Sequence, residues 1–213
     1  MIDDPERNPA KELLIAGATL DDLAETAEGC TACELYRDAT QVVFAEGEGK
    51  AKIMLLGEQP GDEEDREGEP FVGPAGAVLD QALQEAGIDK TEVYVTNVVK
   101  HFRWKQGAKT RLHQKPATRH INACRPWLEA ELTLVEPAVI VTLGASASQS
   151  ILGSEIRVTR DHGEIFEWEG LRVIPTLHPS AALRAPEAED RQRIRRQIVE
   201  DLRRARDVAE ERT

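Results

Sequence analysis

The sequence is short of several things, and each shortage narrows its class. No apolar run approaches the roughly 20 residues that cross a bilayer, so no membrane-spanning helix is expected. The start, Met1-Ile2-Asp3-Asp4, has neither the basic residues nor the apolar stretch of a secretory signal. Cysteine is limited to Cys30, Cys33 and Cys124, an odd number that builds no disulfide framework. There is no internal repeat and no low-complexity linker. We therefore expect a cytoplasmic, monomeric protein whose 213 residues form one domain over 1–213. The chain is 40% hydrophobic and 31% charged, a globular balance that excludes wholesale disorder.

Positive charge is also short. A formal net charge of −12 counts against a general nucleic-acid binder, but the distribution is uneven. Acid is missing altogether from residues 97–128, which hold Lys100, Arg103, Lys105, Lys109, Arg111, Lys115, Arg119 and Arg125. Residues 58–69 are the opposite, with Arg66 the lone base among Glu58, Asp62, Glu63, Glu64, Asp65, Glu67 and Glu69. A basic segment can grip phosphates on an acidic protein because screening limits distant charges to about 8–10 Å. A solvated basic loop is the plainer alternative.

What is present reads as alternating strands and helices. Four short apolar runs, 52–57, 92–97, 138–144 and 171–176, are candidate buried strands. Residues 163–168 could add a strand as a hairpin with the last. A helical stripe of Val78, Leu79, Ala82, Leu83 and Ala86 lies between Pro74 and Gly87, which suit a helix start and end. Further helices are expected over 117–135, with Pro126 forcing a kink or a fresh start, over 147–152, and over 186–212 on the stripe of Ile194, Ile198, Leu202 and Ala205. This order predicts a three-layer α/β/α fold around a central, mainly parallel four-stranded sheet. Ligands of such sheets sit beyond the strands' carboxyl ends, here at the loops beginning at Glu58, Asn97, Ala145 and Leu177.

Three of those loops carry unusual chemistry. The first, Gly57-Glu58-Gln59-Pro60-Gly61-Asp62, has glycines and proline for a tight turn that brings backbone close to a ligand. It lacks the Gly-Lys-Ser/Thr of a phosphate-binding Walker loop. Phe71 follows in Pro70-Phe71-Val72-Gly73-Pro74. The second begins at the strand-end Asn97. The last, Leu177-His178-Pro179-Ser180 through Arg184, puts a histidine directly after a strand, where it can polarise a ligand. Cys30-x-x-Cys33, with Cys124 downstream, can share one metal or cluster.

Jointly, the Gly-Glu-Gln-Pro-Gly loop, Asn97 and the His-Pro-Ser loop resemble the uracil-DNA glycosylase superfamily, particularly its iron–sulfur branch, over about residues 30–184. The branch usually has a third cysteine soon after the Asn strand, where this chain has His101. From the residues, three Cys and one His suit zinc as well as iron. The resemblance favours a four-iron, four-sulfur ([4Fe-4S]) cluster on Cys30, Cys33, His101 and Cys124. Lys109-Thr110-Arg111-Leu112-His113 is similar to the basic, His-ended loop of UdgX-type proteins, which become covalently joined to uracil-containing DNA. The usual Lys-Arg-Arg-Ile-His pattern is altered at Thr110, which loses a charge, and at Leu112, which keeps an apolar anchor.

The resemblance implies a partner, uracil-containing DNA, single-stranded or with its base flipped out. It implies that Gly57, Gln59, Phe71, Asn97, Ser180 and Arg184 bind the substrate. Phe71 would stack on the base, and the Asn97 amide would pair with uracil O4 and N3–H, a pattern that cytosine reverses. His178 would stabilise charge growing on O2. His113 would take the sugar C1′ in single turnover, oriented by Glu58, and the basic residues over 100–119, Lys109 and Arg111 among them, would hold phosphates. Two alternatives stay open: a turnover glycosylase that uses water assisted by Glu58 or Asp62, and a non-catalytic, cluster-containing binding module.

Overall fold

The computed structural model of the protein describes residues 8–211. The first four residues, considered above as a possible signal, and Arg212, in the expected last helix, lie outside the described residues. The chain opens with α1 (Pro9–Leu13) and α2 (Leu20–Ala27), then β1 (Ala45–Glu46) and β2 (Ile53–Gly57). Helices α3 (Asp62–Glu67) and α4 (Pro74–Ala86) lead to β3 (Val93–Asn97). A hairpin of β4 (Trp104–Gln106) and β5 (Arg111–His113) precedes α5 (Thr118–Val135) and β6 (Val139–Leu143). Then come α6 (Ala145–Leu152), α7 (Val158–Asp161), β7 (Phe166–Trp168), β8 (Leu171–Thr176), α8 (Ser180–Arg184) and α9 (Ala188–Glu210). No helix among the described residues is long and apolar enough to cross a membrane.

The central sheet runs β1-β3-β2-β6-β8-β7. Its four inner strands are parallel, and β1 and β7 pair antiparallel at the edges. Every residue of β2, β3 and β6 is buried, as expected of strands covered on both faces. Alternation sorts them cleanly. Met54, Leu56, Tyr94 and Ile140 meet α5, α6 and the N-terminal helices in one core. Ile53, Leu55, Val95 and Val141 meet α4 and α9 in the other. The result is the expected three-layer α/β/α arrangement.

The sheet has six strands among the described residues rather than four. β1 is two residues long and carries no periodic pattern, so only its pairing with β3 reveals it. β7 forms the anticipated hairpin with β8, turning through Glu169 and Gly170, both at positive φ, as a twist-matched two-residue turn requires. Pro126 does not divide its helix, since α5 is continuous around it. The carbonyl that proline leaves without a donor, four residues back on Asn122, accepts instead from the Asn8 side chain at 3.2 Å.

The two charge blocks meet in space. The acidic stretch folds as α3, and the basic stretch forms the β4–β5 hairpin. Arg111 spans them, binding both Asp62 and Asp65. Lys100, expected at phosphates, instead points into the core. Its Nζ lies 2.6 Å from Glu131, whose carboxylate also takes Tyr94 and Thr96 hydroxyls. A buried charge must be paired, and Glu131 is the partner that sequence spacing did not reveal.

Candidate active site

The carboxyl ends of the parallel strands open on a cavity of about 460 Å³. Glu58, Gln59, Phe71, Asn97, His113, His178, Ser180 and Arg184 all line it, so eight side chains singled out in the sequence converge from four loops. Gly57 and Asn97 are register partners at the ends of β2 and β3. A Cβ on Gly57 would collide with Asn97 Oδ1 and stand 3.1 Å from two Phe71 ring carbons. Glycine there lets both side chains close over the strand end.

Phe71 sits at φ 57°, a left-handed conformation uncommon for a bulky residue. Gly76 in α4 leaves room for the Phe71 carbonyl, which a Cβ would strike. The Phe71 ring lies 6.1 Å from that of His178 with planes 27° apart. Asn97 is buried, yet its amide makes no hydrogen bond among the described residues. An amide so placed is available to a ligand carrying a donor and an acceptor side by side.

His178 has a defined tautomer. Its Nδ1 accepts from the Ser180 backbone N–H at 3.1 Å, with the Ser180 hydroxyl 2.7 Å away. The proton of the neutral ring is therefore on Nε2. Burial, then the charge of Arg184, holds the His178 pKa down to about 4, so the ring is neutral at physiological pH. It offers an N–H to an oxygen that gains negative charge. Gly144, at φ 90°, permits this approach, since a Cβ there would stand 2.9 Å from His178 Cβ. Gly144 was missed in the sequence, although a glycine directly after a strand is itself a signal of close backbone approach.

His113 ends β5 and is half-exposed at the mouth. Its Nε2 is 3.4 Å from Glu58 Oε1, an oxygen that is buried and lacks a hydrogen bond among the described residues. A contact this slack is common before substrate tightens a site. Burial lowers the His113 pKa, Glu58 opposes that shift and Arg184 adds to it. The arrangement offers a neutral imidazole with a carboxylate behind one nitrogen, a nucleophile with an orienting base.

Gln59 serves the hairpin. Its Nε2 donates to the carbonyls of Arg103 and Gln114, each at 3.2 Å, and its Oε1 accepts the Arg103 N–H at 3.1 Å. One amide thereby ties both hairpin stems to the first loop and fixes where His113 stands. Asp62 is outside the cavity lining, paired with Arg111 and, at 3.1 Å, with Arg66. Arg111, expected at phosphates, is committed to Asp62 and Asp65 and lies over the Phe102 and Trp104 rings at 5.4 and 5.3 Å. Lys109, near the hairpin tip, is exposed.

The four candidate metal ligands lie in a separate region. Trp127 Nε1 donates to Cys30 Sγ at 3.4 Å, and the Lys100 N–H donates to Cys124 Sγ at 3.5 Å. Donors aimed at sulfur suit thiolates, whereas burial pushes the metal-free Cys124 thiol up to about 12 and Cys33 upward as well. His101 Nδ1 is buried without a hydrogen-bond partner among the described residues. Among the described residues no three His, Cys, Asp or Glu side chains are close enough to hold one metal ion. Two sulfurs with N–H donors aimed at them and a buried imidazole nitrogen without a partner among the described residues make a donor set that suits a metal or cluster.

Residues 44–203 match the family model described as the uracil DNA glycosylase superfamily. The chain is 38% identical over 186 residues to a type-4 uracil-DNA glycosylase of Thermotoga maritima, covering 86% of this chain and 91% of that protein. A type-4 uracil-DNA glycosylase of Sulfurisphaera tokodaii is 34% identical over 90% of this chain and 85% of its own length. A type-5 uracil-DNA glycosylase of Pyrobaculum aerophilum is 30% identical over 63% of each chain.

Proposed function

The chain belongs to the uracil DNA glycosylase superfamily, and from that premise we propose that it excises uracil from DNA, a repair reaction, and keeps the sugar as a covalent adduct on His113. The observation that carries this reading is the His113–Glu58 pair at 3.4 Å in the cavity that holds Asn97, Phe71 and His178.

A base must leave the stack to enter such a cavity, at a cost on the order of a few kcal/mol. Stacking on Phe71 returns about 1–3 kcal/mol. The Asn97 amide reads O4 and N3–H. The C1′–N1 bond then breaks and its electron pair leaves with uracil, where the Nε2–H of His178 stabilises the charge on O2. The His113 nitrogen that does not face Glu58 gives its lone pair to C1′. Glu58 takes the proton from the other nitrogen, and the expelled uracil anion takes one from solvent. Loss of that proton makes the adduct durable. Imidazole would now have to depart as an anion, a poorer leaving group than uracil, so the protein acts once.

Cys30, Cys33, His101 and Cys124 would hold a four-iron, four-sulfur cluster, a reading supported by the N–H donors aimed at two of the sulfurs and by the unpartnered, buried His101 Nδ1. When bound, it supplies a rigid cross-link between the N-terminal segment, the residues after β3 and α5. Lys109 and Arg184, both exposed, would meet phosphates.

A glycosylase that turns over with water is the second reading, favoured by the half-exposed position of His113 and the relatives' names. Incubation with a uracil-containing oligonucleotide on a denaturing gel separates the two. Covalent capture gives a shifted band, which His113→Ser loses while releasing uracil. Repeated uracil release by the wild type without a shifted band refutes capture.

A further inference from the structure

Beside the base cavity lies a second groove of about 520 Å³, between α4, α8 and α9. The two hollows share walls. In α4, Pro74 faces the groove and Ala75 the cavity; in α8, Ala182 and Leu183 face the groove while Ser180 and Arg184 face the cavity. Among the described residues no carboxylate lines the groove, and its only charged side chains are Arg191 and Arg195. Arg191 donates to the main-chain carbonyls of Ala185 and Pro186 at 2.8 and 2.7 Å, neutral acceptors that leave its charge uncompensated. Arg193, two residues on, is paired with Asp190 at 2.6 Å. Arg195 has no acidic partner among the described residues.

An acid-free groove with two unneutralised arginines, on a chain of net charge −12, points to an anionic occupant. Its place across α8 from the cavity identifies which. We infer that this groove seats the DNA strand on one side of the captured uridine, with Arg195 against a backbone phosphate. The inference rests on the uracil-DNA reading above. The shared wall, α8, is five residues long, about 7.5 Å or roughly two base steps at ~3.4 Å each. A strand whose base enters the cavity therefore reaches the groove within one or two nucleotides. Gln81 and Gln192 add uncharged polar groups, and Leu183, 48% exposed, adds an apolar lip. This mix holds a strand without reading its sequence.

Equilibrium binding of the intact protein to a uracil-free single-stranded oligonucleotide, followed by anisotropy across a salt series, tests the groove independently of uracil chemistry. Losing one phosphate contact flattens the slope of log affinity against log salt by about 0.7. Arg195→Ala should show that loss, Arg195→Lys should restore the slope, and Arg195→Glu should weaken binding further. Excision assays then locate the contact. The Arg195→Ala deficit should vanish on substrates cut back to the uridine on one side and persist on those cut back on the other. A wild-type slope in Arg195→Ala, or a deficit on both truncated substrates alike, overturns the inference. Wild-type protein that binds DNA with the Arg195-dependent slope but never attacks uracil refutes the enzymatic reading and leaves the groove standing.

Discussion

Gly57→Ala perturbs the site by one methyl group and separates base reading from folding. Gly57 has an ordinary backbone angle, so alanine is conformationally allowed and should restrict the unfolded chain by about 0.4–1 kcal/mol in the protein's favour. Against that, the new Cβ overlaps Asn97 Oδ1 and lies 3.1 Å from two Phe71 ring carbons, inside the roughly 3.5–4.0 Å at which carbon atoms rest. Overpacking of this kind costs about 1–3 kcal/mol. The Asn97 amide, tied down by no hydrogen bond among the described residues, is the group that yields. The gain offsets only part of the cost, leaving a net loss of about 1 kcal/mol, so the melting temperature should fall by only a few degrees. The function does not survive as well. A bidentate base-edge contact is worth about 1–3 kcal/mol, so losing it slows uracil excision roughly five- to 150-fold. Single-turnover uracil release, alongside binding to uracil-free DNA, measures this. Slowed excision with unchanged general binding is expected. A folded Gly57→Ala protein that excises uracil at the wild-type rate would refute the reasoning, because Asn97 could not then be reading the base from where it stands.

The nucleophile needs a free lone pair, so the rate of adduct formation should be flat above about pH 6.5 and fall in acid through the lowered pKa of His113. Arg184→Gln removes a positive charge beside it, and that acid limb in the pH–rate profile should shift to higher pH. Stability should follow pH as well. The unfolded His178 protonates near 6.5 while the folded ring waits until about 4. The unfolded state therefore binds more protons between these values, and stability, full above 6.5, declines as pH falls toward 4. Denaturant titrations at several pH values check this, and His178→Phe should flatten the decline. Protein purified without oxygen should carry about four irons with broad visible absorption, and Cys124→Ala should lose both the iron and several degrees of melting temperature. Stoichiometric zinc without iron would refute the cluster.

The inner strands and the large helices were legible because burial on both faces writes continuous apolar runs, and one-sided burial writes a helical stripe. Edge strand β1 was not, since two residues cannot display a period. The β4–β5 hairpin, read as a loop, is three residues a side and mostly exposed, so its strands carry no apolar alternation. It is held from outside, by Gln59 on its stems and by Arg111 on α3. The site was legible as residue types at strand ends, where Asn97 and His178 follow apolar runs. Their supports were not. Gln59 reads as a ligand contact until its amide is seen spent on backbone. Arg111 and Lys100 read as phosphate contacts until Asp65 and Glu131, distant in sequence, are found beside them. Sequence shows a charge but not its partner.

The central claim is that His113 forms a bond to C1′ as uracil leaves. Intact mass spectrometry of the wild-type protein after reaction with a uracil-containing oligonucleotide, under denaturing heat and detergent, tests it most directly. The predicted mass is that of protein plus oligonucleotide minus uracil, with the bond mapped to His113 and absent from His113→Ser. Only free protein and an abasic oligonucleotide after denaturation, or an adduct that persists in His113→Ser, would contradict it.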